Sequence, residues 1–299
     1  MTRSCYPVVT LIFLVLPAFA QSQAQGAKPH EASRSTLEID PGKPTLKTPE
    51  IQRNKPLSPF KRLPKYILHD QKHIWTSPFH TSKSDAKWWV IFGTTTAALV
   101  ATDRWTSRQL PNTKDQVTIA TWTSRLGAAY TLIPIMGAFY FAGTAANNER
   151  FRETTLLGLE TLGDTVLVES VLKMATDRER PLEGRGNGAW WQSSGSIYNA
   201  SFPSGHAINT WGVASIIAHE YPRPLIVPIT AYGLAAVVTG SRFAARRHFA
   251  SDTIVGAAMG WFIGDWVFAR RHNRSLDQGT PRSKKAVIER LLAHVRFGM

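Results

Sequence analysis

Six apolar stretches follow one another at about 88 to 102, 126 to 146, 155 to 174, 204 to 219, 224 to 240 and 252 to 269. Each is of helical length, and none alternates with a period of two. A chain with six such faces and no strand pattern to bury them against is expected to be all-α, a helical bundle. The connections are short and polar, apart from a Gly-, Trp- and Ser-rich loop from about 182 to 203. Residues 21–85 are rich in Pro, Lys, Ser, Thr and Gln, with little apolar periodicity before Tyr66 to Trp75, the composition of a flexible leader. Residues 1–20 run from Arg3 through Val8 to Leu16, then Pro17 and the triplet Ala18, Phe19, Ala20, the order of a secretory signal with cleavage expected after Ala20, an uncleaved membrane anchor being the alternative. The expected organisation is a signal peptide (1–20), a leader (21–85), the bundle domain (86–270) and a basic tail (271–299) with a surface helix from Lys284 to Phe297.

The 43% hydrophobic content is enough for a sizeable core, and the formal charge of +14 points to an anionic partner. Nucleic acid is not the expected one. Its binding favours basic residues interleaved with aromatics on one stripe, whereas here they gather in the Pro-rich leader, two central loops and the tail. The single cysteine, Cys5, lies in the signal segment, so the mature chain has no thiol chemistry. The stretches 126 to 146 and 224 to 240 approach the ~20 apolar residues of a membrane span. The third carries Glu160, Asp164 and Glu169, the fourth Asn209 and His219, and the sixth Asp265, all of which must then face the bundle interior. A mean hydropathy of −0.16 is low for six spans. The chain is therefore read as an exported protein, either multi-pass in a membrane or a periplasmic bundle.

Three short segments hold the polar groups of a phosphate-transfer site. Lys173, Arg180 and Pro181 form the first; Pro203, Ser204, Gly205 and His206 the second; Ser241, Arg242, His248 and Asp252 the third. Each falls at the end of an expected helix, and the ends of four helices can meet at one mouth of an antiparallel bundle. Arg180 and Arg242 offer planar forks to phosphate oxygens, and Lys173 adds a compact charge. Ser204 and the amide of Gly205 can present a helix N-terminus to an anion. His248 and Asp252 are four apart, so the carboxylate is expected to hold one ring nitrogen and leave the other aimed at phosphorus as nucleophile. His206, on another helix, is then the acid for the leaving oxygen and later the base for water. Asp177, four after Lys173, is expected to pair with it. Trp190 and Trp191 are read as membrane-interface residues, with the lining of a substrate entrance as the alternative. His30, His69, His73 and His80 lack a spacing partner, so no metal ligand is assigned.

Together these segments resemble the signature of the type 2 phosphatidic acid phosphatase superfamily, which takes in lipid phosphatases, class A acid phosphatases and vanadium haloperoxidases. All eleven specified positions are filled. The resemblance implies a six-helix bundle and a metal-independent, cofactor-free phosphatase acting through a phosphohistidine on a lipid phosphate or a small organic phosphate. It implies phosphate contacts from Lys173, Arg180, Ser204, Gly205 and Arg242, with His206 as acid and His248 with Asp252 as the nucleophile pair. A soluble periplasmic acid phosphatase and a vanadium-dependent haloperoxidase are the alternatives. The expected location is the bacterial cell envelope.

Overall fold

The computed structural model describes residues 59–80, 83–183, 185–192 and 199–279. Among them every regular element is helical: α1 Pro59–Thr76, α2 Lys83–Gln109, α3 Lys114–Ser124, α4 Ala129–Ala145, α5 Glu149–Thr176, α6 Gly205–Glu220, α7 Ile226–Ala244 and α8 Ala250–Arg271, with short 3₁₀ turns between some of them. The six expected stretches are α2 and α4 to α8. The signal segment, the leader as far as residue 58 and the helix expected at Lys284 to Phe297 lie outside the described residues.

α1 corrects the leader. Residues 59–80 were expected to be flexible, yet Phe60, Leu63 and Ile67 recur at helical spacing and line an apolar groove of about 510 Å³ with Ile133 of α4 and Leu162 and Val166 of α5. Polar bonds clamp the same helix to the core: buried Asp70 accepts from Arg271 at 2.7 Å, and Gln71 donates to Asp164 at 2.9 Å. α3 was not expected either. Thr113 caps it, its hydroxyl accepting from the Gln116 amide at 3.3 Å, and a bend of 43° separates it from α4.

The core joins α5, α6 and α8 through Leu157, Val168, Ile208, Ile216, Ile263 and Val267. The polar residues of the apolar stretches do find partners inside the bundle. Glu160 meets Arg271 at 2.9 Å, Asn209 accepts from Thr165 at 2.7 Å, and His219 lies 3.2 Å from Asp265.

α6 and α8 set the frame of the site. A Cβ on Gly256 would press on the Ser204 main chain, and Cβ atoms on Gly260 and Gly264 would collide with the carbonyls of Ile208 and Gly212. The four-residue steps match in the same direction along both helices, so the two run parallel in direct backbone contact. Their N-termini lie side by side, the Ser204 amide donating to the Asp252 carbonyl at 3.0 Å.

Candidate active site

Four helix ends converge where the motifs placed them. Lys173 lies in the last turn of α5, Ser204 is the N-cap of α6, and Asp252 is in the first turn of α8. Arg242 is a correction of detail: α7 extends to Ala244, so the residue sits within its last turn instead of following it.

His248 is buried, and its two nitrogens face opposite partners. Nδ1 lies 2.7 Å from the Ser201 carbonyl, which can only accept, so Nδ1 carries the proton. Nε2 lies 3.3 Å from Arg242 Nη2, which can only donate, so Nε2 holds its lone pair toward the cations. The expected direct grip of Asp252 on the ring is thereby corrected. Nδ1 is 3.8 Å from Asp252 Oδ2, beyond hydrogen-bond length, and the carboxylate is engaged elsewhere. It accepts from the Ser201 hydroxyl at 2.5 Å, the Phe249 amide at 2.8 Å and Arg178 at 2.6 Å. Asp252 thus steadies Ser201, and the Ser201 main chain steadies the imidazole.

Arg178, Ser201, Asp103 and Ser124 are the residues that sequence reasoning missed. Arg178 is buried between the rings of Trp190 and Phe249, at 4.6 and 4.5 Å, and ties Asp252 to Asp103 of α2, which it meets at 2.8 Å. Asp103 also accepts from the Ser251 amide at 3.0 Å. Ser124, at the end of α3, accepts from Arg242 Nη1 at 3.1 Å. Trp190 therefore packs inside the loop instead of at an interface, while Trp191 is exposed. Asp177 does not pair with Lys173; it closes α5 in the left-handed region at φ 40°, and Lys173 lies 3.7 Å from Glu169.

The anion-binding parts are arranged as a cradle. Arg180 donates to the Asn199 carbonyl at 2.9 Å, which fixes its fork. Ser204 makes no side-chain cap bond, and its buried hydroxyl has no hydrogen-bond partner among the described residues; the same holds for Arg242 Nε and Glu169 Oε2. Of these, the Ser204 hydroxyl and the Arg242 guanidinium can donate to an anion's oxygens, whereas the Glu169 carboxylate can only accept. Glu169 lies against Gly205, where any side chain would strike its carboxylate. Burial pushes the Glu169 carboxyl up and the Lys173 ammonium down, each partly restrained by the other.

Burial and then the charges of Arg242, Lys173 and Arg180 push His206 down to about 3. Burial, then Arg242, Arg180, Lys173 and His206, lower His248 well below the ordinary histidine value. The same three cations act on both imidazoles. Burial raises the Asp252 carboxyl, opposed by Arg178, the Ser201 hydroxyl and the Phe249 amide. Such a cradle can hold a tetrahedral dianion between two neutral histidines.

The family model of the PAP2 superfamily matches residues 154–276, a segment that contains all the motif residues. It is 27% identical over 145 residues to a lipid A 1-phosphatase of Porphyromonas gingivalis, the alignment covering 46% of this chain and 29% of that protein. The chain thus spans under a third of that relative's length. A crystal structure of a transmembrane PAP2-type phosphatidylglycerolphosphate phosphatase from Bacillus subtilis superposes with a TM-score of 0.41 at 22% identity, over 75% of this chain and 98% of that one.

Proposed function

We propose that the protein is a membrane-associated phosphatase of the bacterial cell envelope that hydrolyses a lipid phosphomonoester or diphosphate through a phosphohistidine on His248. The observation that carries this reading is the fixed tautomer of His248, with its bare Nε2 directed into the cations at 3.3 Å from Arg242. Nε2 attacks phosphorus as the bond to the leaving oxygen breaks, and His206 gives that oxygen a proton. Water then attacks phosphorus as the bond to Nε2 breaks and returns its electron pair to His248, His206 takes the water's proton, and inorganic phosphate leaves. The charge that develops on the imidazole is met by the Ser201 carbonyl and by Asp252 at 3.8 Å. Lys173, Arg180, Arg242, Ser204 and the α6 N-terminus hold the equatorial oxygens.

His206 is neutral in the free cradle. A bound phosphate offsets the three cations, so the ring gains affinity for a proton when substrate arrives. Three converging cations also disfavour a metal ion here, which supports a metal-independent reaction. The name of the Porphyromonas gingivalis relative supports a phosphorylated lipid as substrate. Full-length enzyme in detergent, with EDTA throughout, is assayed on a lipid phosphate panel beside p-nitrophenyl phosphate. Turnover of lipid phosphates is expected, together with acid-labile ³²P label on protein quenched during turnover. Loss of catalysis in EDTA without unfolding, or undiminished turnover in His248→Gln, would overturn the reading.

A further inference from the structure

The end of the bundle away from the phosphate cradle carries a second polar cluster with no part in that chemistry. Glu220 is the last residue of α6, the helix whose first residue is Gly205, so about 22 Å of helix separates the two places. Glu153 lies in the second turn of α5, and His272 directly follows α8. One ligand atom from each of Glu153, Glu220 and His272 falls within 4.8 Å of the others. We propose that these three residues bind a divalent transition-metal ion that staples the ends of α5, α6 and α8.

The geometry is close to a coordination sphere. His272 Nδ1 lies 2.8 Å from Glu220 Oε1 and 3.2 Å from Glu153 Oε1, while tetrahedral zinc at ~2.0–2.1 Å spaces its ligand atoms by roughly 3.3 Å. Opening the cluster by a few tenths of an ångström admits an ion in place of a shared proton. The outer shell is built for it. His272 Nε2 lies 3.0 Å from Asp277 Oδ2, the carboxylate–imidazole arrangement that orients a metal-binding histidine, and the ring stacks on Phe268 at 4.5 Å. Arg150 joins the Glu220 carbonyl at 2.6 Å to Asp277 Oδ1 at 2.7 Å, and the Asn273 amide fixes Glu153 at 2.6 Å.

An independent observation points to a ligand. Glu220 is 0% exposed, and its Oε2 has no hydrogen-bond partner among the described residues. A protonated His272 satisfies Oε1 alone and leaves that lone pair orphaned at a cost; an ion bound by the carboxylate uses it. Two carboxylates and one imidazole suit zinc or manganese better than calcium or magnesium, which take all-oxygen or largely hydrated shells.

The test uses full-length protein in detergent, purified without a polyhistidine tag, stripped with EDTA and dialysed. ZnCl₂ and MnCl₂ are titrated by calorimetry, and thermal unfolding is followed with and without each ion. One ion per chain and an ion-dependent rise in Tm are expected in wild type and in the exposed control Glu149→Gln. Glu220→Gln should abolish both effects, and Asp277→Asn, at a half-exposed position, should weaken binding about 10–100-fold. No binding to wild type, or binding unchanged in Glu220→Gln and Asp277→Asn, overturns the proposal. A Tm lowered equally by Glu220→Gln in zinc and in EDTA also overturns it, since the cluster is then a histidine–carboxylate ion pair. Phosphatase activity in EDTA below the Tm reports on the cradle separately.

Discussion

His248 owes its orientation to a main-chain carbonyl, and this changes what its neighbours are worth. His248→Gln is expected to lower kcat by roughly 10⁴-fold or more with the fold intact, checked by steady-state kinetics beside circular dichroism. Asp252→Asn acts mainly on folding. It leaves Arg178 buried with half of its counter-charge, and removing one partner of a buried pair costs about 3–5 kcal/mol, measurable by denaturant unfolding. The pH dependence follows from the lowered imidazoles. As the proposed nucleophile His248 must be neutral, and its depressed pKa keeps it so as pH falls through 6.5. The acid limb of kcat/KM is therefore expected below pH 6.5, and a limb at or above that value contradicts the depressed imidazole. The linkage has a fixed sign: both histidines bind protons more readily when unfolded, so their contribution is complete above pH 6.5 and is lost on acidification toward the folded value of about 3 for His206. The motif residues were legible because their chemistry demands those side chains at that spacing. Arg178 was not, since it sits at an unspecified position inside the first motif and its partner Asp103 is 75 positions away in sequence. The i,i+4 spacing of His248 and Asp252 suggested a direct bond; as the third residue of α8, Asp252 instead reaches back to the Phe249 amide.

At the level of elements, the α6–α8 pair frames the candidate site because each helix carries part of it at its N-terminus. Gly260→Leu drives a side chain into the Ile208 carbonyl and must part the helices. A loss of about 1–3 kcal/mol or more is expected, with kcat falling further than KM rises, read from thermal unfolding and kinetics on the same preparation. The six long helices were legible from their apolar runs. α1 and α3 were not, because Lys and Arg in α1 and Thr and Gln in α3 dilute their apolar positions, and what holds them is tertiary: the Asp70 to Arg271 bond for α1, and for α3 the Gln116 side chain donating to the Ala244 carbonyl at 3.0 Å. Asp70→Ala should accordingly speed proteolysis near residue 59 and lower Tm, while leaving KM for a soluble phosphate within about twofold, since α1 contributes nothing to the cradle.

For the molecule as a whole, the exposed apolar side chains are unusually many. Trp105, Ile119, Trp122, Leu126, Tyr130 and Phe141 from α2 to α4, with Leu225, Ile226, Ile229, Leu234 and Val237 around α7, all face outward. α7 is the one described helix long and apolar enough to cross a membrane, and α3 with α4 meet the same test only as a bent pair. Burying that surface in lipid releases far more free energy than headgroup attraction, so full-length protein is expected to co-float with neutral phosphatidylcholine vesicles and to stay bound in 1 M salt. Release by salt alone would assign the association to the net charge of +14 instead.

The glycine-to-carbonyl contact between α6 and α8 acts as a ruler cut into the main chain. Because the spacing of the two helix N-termini is set by backbone rather than by adjustable side chains, exchanges of surface side chains elsewhere leave that spacing as it is.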